Sequence, residues 1–166
     1  MSFAIVVARF YEHLADRLVG GAQTAFAEAG AGEADVFDVP GAFELPLAAR
    51  FAAQSGRYDG VACLGAVIRG ATPHFDLVVR EAASGVGALT AEGKLAVAFG
   101  VLACENIEQA VERAGAKAGN RGADAAMVAV EMADLYAHMA AEKAAEPTVS
   151  VVPPPVSTTT DLPRRK

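Results

Sequence analysis

Gly60-Val61-Ala62-Cys63-Leu64-Gly65-Ala66-Val67-Ile68-Arg69-Gly70-Ala71-Thr72-Pro73-His74-Phe75-Asp76 decides the fold. Its first nine residues form an apolar run with no polar alternation, the pattern of a strand buried on both faces. Thr72 then offers a favourable N-cap and Pro73 suits the first position of a helix, which puts His74 in the first helical turn. Strand, turn and capped helix in immediate succession make one β-α unit of a parallel sheet.

Outward from this unit the same alternation repeats. Apolar runs at Phe3–Ala8, Val36–Val39 and Leu95–Leu102 are separated by segments of helical period. Leu14, Leu18, Ala22 and Ala25 trace one helical stripe; Ile107, Ala110, Val111 and Ala114 trace another; Ala123, Ala126, Met127 and Val130 trace a third. The expected architecture is α/β: a three-layer αβα sandwich on a four-stranded parallel sheet, flavodoxin-like in order 2-1-3-4. One domain is expected over residues 1–144. From 145 to 166 the composition turns to Pro, Thr, Ser and Val, including Pro153-Pro154-Pro155 and Thr158-Thr159-Thr160. That segment is expected to be a disordered tail.

The 166 residues are 53% hydrophobic with a formal net charge of −6, and the one basic cluster is Arg164-Arg165-Lys166. No nucleic-acid partner is expected of such a surface. Cys63 and Cys104 are too few and too scattered for a disulfide framework and read as small buried residues. His13, His74 and His138 lack metal-ligand spacing, so no metal is expected. The first strand begins at once, without the pattern of an export signal, and no apolar stretch is long enough to span a bilayer. The expectation is a cytoplasmic protein with no membrane association.

In an open parallel sheet, ligands bind beyond the carboxyl ends of the strands. The first strand delivers Arg9-Phe10-Tyr11 there, the second Val39-Pro40-Gly41-Ala42-Phe43-Glu44, and the third the turn quoted above. Phe10 is either rim packing or a flat surface for stacking a heterocycle. Glu44, in a helix expected to start near Phe43, either complements the helix dipole or accepts hydrogen bonds from hydroxyl groups. Free backbone N–H groups at the start of the third helix attract anions. A cationic imidazolium is disfavoured at that place, so the His74 ring is available as a base. Asp76 follows two residues later and is not read as its partner in a dyad. Arg113 lies about 12 Å along a helix expected to start near Glu105, well away from the crevice of its own chain. An anion site that uses Arg113 therefore belongs to an adjacent subunit.

Taken together these segments resemble the lumazine synthase family of riboflavin biosynthesis. The matching pieces are Arg9-Phe10, Leu18-Val19-Gly20-Gly21-Ala22, Val39-Pro40-Gly41-Ala42-Phe43-Glu44-Leu45-Pro46 and, most specific, the stretch from Cys63 to Asp76. Phe99-Gly100-Val101-Leu102, Glu108-Gln109-Ala110, Glu112-Arg113-Ala114-Gly115 and Lys117-Ala118-Gly119-Asn120-Arg121-Gly122 complete the series in order.

The resemblance implies a cofactor-independent transferase. Its substrates would be 5-amino-6-(D-ribitylamino)uracil and 3,4-dihydroxy-2-butanone 4-phosphate, and its products 6,7-dimethyl-8-ribityllumazine, phosphate and water. It also implies the roles. Phe10 stacks on the pyrimidine; Ala42, Phe43 and Glu44 line the ring and ribityl chain; Ala66, Val67 and Ile68 contact the heterocycle through backbone. Ala71 and Thr72 receive the phosphate, and His74 moves protons. Phe99 and Arg113 come from a neighbouring identical subunit, with the pentamer as the family's minimum and decamers and sixty-subunit shells also known. Two rival readings are a non-catalytic relative that binds a flavin-like ligand or builds a shell, and a flavodoxin-like electron carrier.

Overall fold

A computed structural model of the chain describes residues 1–145. The elements run β1 (Phe3–Ala8), α1 (Glu12–Glu28), β2 (Asp35–Val39), α2 (Leu45–Ser55), β3 (Gly60–Ile68), α3 (His74–Glu92), β4 (Ala96–Cys104), α4 (Ile107–Arg113) and α5 (Arg121–Ala145). A short 3₁₀ turn, Ala42–Glu44, precedes α2. The four strands are parallel in the order β2-β1-β3-β4, as expected. Of the expected tail, Ala145 is the last residue of α5, and 146–166 lie outside the described residues.

Alternate strand residues feed two cores. Phe3, Ile5 and Val7 with Ala62, Leu64 and Ala66 pack under α1, α4 and α5. Ala4, Val6 and Ala8 with Val61 and Cys63 pack under α2 and α3. Burial on both faces is what the unbroken apolar runs of β1 and β3 require. Cys63 and Cys104 are both buried free thiols. Gly56 and Gly93, at φ 65° and 63°, close α2 and α3 in the left-handed conformation that glycine adopts without steric cost.

Three expectations need correction. The stripe Leu14, Leu18, Ala22 and Ala25 is buried, whereas α5 turns Ala125, Ala126, Ala129 and Ala133 inward and leaves Met127 exposed, with Ala123 and Val130 only half-buried. A Cβ at Gly122 would collide with the Leu18 carbonyl oxygen, and one at Gly100 would lie 3.1 Å from the carbonyl oxygen of Arg121. Helices that approach this closely select small side chains at the contact, so the largest apolar residues do not mark the packed face. Of the α4 stripe, Ala110 and the C-cap residue Ala114 are buried, but Ile107 is exposed. Finally, β2 is largely exposed because it is an edge strand, so only β1, β3 and parts of β4 show the deep burial that the run pattern suggests.

Candidate functional site

At the carboxyl ends of β1 and β3 the structure opens a cleft of about 450 Å³. Phe10 and Tyr11 follow β1 and meet edge to face, with ring centroids 5.1 Å apart. Phe10 is 74% exposed, an aromatic face open to a flat ligand. Gly41, Ala42, Phe43 and Glu44 form the facing wall, and Ala66, Val67 and Ile68 supply the floor where β3 ends. Gly70, Thr72, His74 and Phe75 close the third side, from the turn into α3.

The turn differs in detail from the expectation. Pro73, not Thr72, occupies the cap position of α3, and no side chain caps the helix. The first bond of the helix is Asp76 N–H to the Pro73 carbonyl oxygen, 3.0 Å. The backbone N–H groups of His74 and Phe75 have no partner among the described residues. A Thr72 cap would have satisfied one of them; without it, both remain available to an anion at the positive end of a 19-residue helix. On the facing wall, the helix expected near Phe43 begins as the 3₁₀ turn, and Glu44 occupies the N-cap position of α2 without a side-chain capping bond. Gly41 is extended at φ −152°, and a Cβ there would come within 3.2 Å of Glu44 Oε2. The glycine therefore leaves room for the carboxylate beside the cleft.

Of the expected site residues, Phe10, Ala42, Phe43, Glu44, Ala66, Val67, Ile68, Thr72 and His74 line this cleft. Ala71 lies between two lining residues without lining it itself. Phe99 and Arg113 do not reach it. Phe99 sits on the edge strand β4 and is 45% exposed. The α4 helix starts at Ile107, capped by Asn106 Oδ1 accepting from the Gln109 N–H at 2.9 Å, so Arg113 is about 9 Å along it rather than 12. Tyr11, Gly70, Phe75 and Val78 are lining residues that the sequence argument did not single out. Tyr11, Gly70 and Phe75 are chain neighbours of residues it did name, and Val78 is one turn beyond His74, which is the signal that could have found them.

Both arginines at the strand ends are paired with carboxylates. Arg9 Nε reaches Asp38 Oδ1 at 2.7 Å and its Nη1 reaches Asp16 Oδ1 at 2.6 Å. The bond to Asp38 foremost holds its guanidinium more firmly protonated than usual. Arg69 pairs with Asp76 and Glu105. No Lys or Arg lines the cleft among the described residues. The described residues of one copy therefore offer an anion backbone N–H groups and His74, but no permanent positive charge.

The family model described as 6,7-dimethyl-8-ribityllumazine synthase matches residues 1–137. The chain belongs to that family. It is 49% identical over 141 residues to a 6,7-dimethyl-8-ribityllumazine synthase of Chlorobium chlorochromatii, covering 84% of this chain and 91% of that protein. It is 53% identical over 135 residues to proteins of the same name from Desulfotalea psychrophila and Desulfatibacillum aliphaticivorans, covering 80% of this chain and 87% of each. The four-stranded parallel sandwich is consistent with the lumazine synthase fold, and no described helix is long and apolar enough to cross a membrane.

Proposed function

We propose that this lumazine synthase family member condenses 5-amino-6-(D-ribitylamino)uracil with 3,4-dihydroxy-2-butanone 4-phosphate to 6,7-dimethyl-8-ribityllumazine, releasing phosphate and water, in the cytoplasm and without metal or cofactor. The observation that carries this reading is the cleft itself. It joins an open aromatic face, a carboxylate and an uncapped helix N-terminus beside His74, three features that suit a heterocycle, a polyol and a phosphate in turn.

Phe10 stacks on the pyrimidine, Glu44 with Ala42 and Phe43 faces the ribityl chain, and the β3 end at Ala66, Val67 and Ile68 contacts the ring. Ala71 and Thr72 with the α3 N-terminus receive the phosphate. Amine and ketone react in water, so holding them together supplies most of the acceleration. His74 then moves protons during imine formation, phosphate elimination and ring closure.

Each site is completed by Phe99 and Arg113 of a neighbouring identical subunit, in a homopentamer. Support comes from the lack of a lining cation among the described residues and from the position of both residues on the β4 side of the molecule. Exposed Phe43, Leu47 and Phe51 also recur every four residues, an unpartnered apolar line running from the cleft wall along α2. The acidic surface gives no footing for nucleic acid. Residues 1–144 form the catalytic domain.

The test is direct: purified protein with both substrates, lumazine formation followed by absorbance and fluorescence, and the spontaneous reaction subtracted. Acceleration that falls in His74→Ala is expected. No acceleration by folded, assembled protein would overturn the assignment.

A further inference from the structure

We propose that Arg69 is a positioning residue that sets the geometry of the phosphate-receiving turn, and that it is not itself a phosphate ligand; this rests on the function proposed above. Arg69 directly follows β3, and its backbone N–H extends the sheet ladder to the Cys104 carbonyl oxygen at 2.9 Å. Its guanidinium then grips two other elements. Nη1 and Nη2 each reach an oxygen of Asp76, in the first turn of α3, at 3.2 Å. Nε reaches both oxygens of Glu105, in the turn between β4 and α4, at 2.9 and 3.1 Å. The same group lies 4.1 Å from the centroid of the Phe75 ring.

Between the two ends of this clamp run Gly70, Ala71, Thr72 and Pro73. Among the described residues the Thr72 side chain makes no hydrogen bond, and the only hydrogen bond made by this segment is the one Pro73 accepts from the Asp76 N–H. The path of the turn is therefore determined by its anchors: the end of β3 on one side and Asp76 on the other, both fixed by a single guanidinium. A planar five-donor group can hold two carboxylates and stack on an aromatic ring at once, which a lysine ammonium cannot do. Two carboxylates on one guanidinium leave the cluster with a net negative charge, so it does not attract phosphate. Arg69 also does not line the cleft. It acts through the backbone that it orders.

The two roles predict opposite signs. If Arg69 positions the turn, removing either carboxylate loosens the clamp and weakens phosphate handling. If Arg69 binds phosphate, removing a carboxylate frees its charge and strengthens it. We would measure KM for each substrate, kcat, and the affinity for inorganic phosphate by calorimetry in Asp76→Asn, Glu105→Gln, Arg69→Met and Arg69→Lys, with assembly mass and circular dichroism as fold controls. The expected result is a KM for the phosphate substrate raised between about 10- and 100-fold in Arg69→Met, with KM for the pyrimidine little changed, since displacement of a bound group by about 1 Å has effects of that size. Asp76→Asn and Glu105→Gln should shift it in the same direction, and Arg69→Lys should not rescue it. An unchanged or lowered KM in both carboxylate variants, or full rescue by lysine, would overturn the proposal. The carboxylate variants decide the matter even where Arg69→Met does not fold. Failure of the wild-type protein to accelerate the condensation would instead strike at the function; phosphate affinity in the same variants would still read the clamp.

Discussion

Arg113 Nη1 donates to the Gln109 carbonyl oxygen at 3.0 Å, one turn back on its own helix. The bond holds the guanidinium along α4, where it terminates the helix instead of pointing into the cleft. A cation so placed serves a site only where another copy brings its cleft to it.

Co-expression of His74→Ala and Arg113→Ala copies should therefore restore activity. In a ring assembled at random from equal amounts, about a quarter of the interfaces pair an intact His74 with an intact Arg113. Turnover of the mixed assembly should exceed that of either parent assembly at a phosphate-substrate level where both are impaired. Activity no greater than the average of the parents would show that each site is built from one chain.

His74→Ala should lower kcat by up to about 100-fold, the lower range for a single general acid–base group, while leaving a rate above the spontaneous reaction. Steady-state kinetics with the pyrimidine saturating would read this. The residual rate follows from the other walls of the cleft, which still hold both reactants together. Arg113→Ala should instead act mainly on KM for the phosphate substrate.

Gly122→Ala should destabilise the fold by about 1–3 kcal/mol, because the added Cβ meets the backbone of Leu18, which has no rotamer to give way. Gly20→Ala is the control. It lies in α1 with nothing within 4 Å of its added Cβ, and should be neutral or stabilising by about 0.5–1 kcal/mol. Thermal melting of both variants beside wild type is the measurement, and equal midpoints for the two would refute the close-contact reading.

Burial pushes the Cys63 thiol from its ordinary 9.0 up to about 12. Below pH 9 both folded and unfolded chains keep the proton, and the thiol's contribution is whole. Above it the unfolded chain loses the proton first, so stability falls as pH rises towards 12, by at most about 1.4 kcal/mol per pH unit. Urea unfolding between about pH 8 and about pH 10.5 should show a flatter decline in Cys63→Ala than in wild type. Parallel declines would mean that Cys63 does not contribute.

The succession of strands and helices and most of the cleft were legible in the residues because the relevant signals are local. An unbroken apolar run, a Thr-Pro pair and a glycine before Ala42-Phe43-Glu44 each act within a few residues. In a parallel sheet all strand ends point the same way, so locating the ends of β1 and β3 also locates Phe10, Ala66 and His74 on one side. The family resemblance supplied the roles, and residues 1–137 carry it.

What the sequence by itself determined is thus the alternation of strands and helices, the doubly buried β1 and β3, and the gathering of Phe10, Glu44, Thr72 and His74 at one end of the sheet. Only the tertiary structure decided that α5 packs through Ala125, Ala126, Ala129 and Ala133, since this depends on how closely Gly122 lets two helix backbones approach. It also decided that Pro73 replaces Thr72 at the cap, and that Arg69, while holding Asp76, reaches Glu105 across 36 residues of chain. Helical period and residue type report a residue's preference for burial or for a turn. Which distant partner meets it is settled by packing, where distance and direction in space replace separation along the chain.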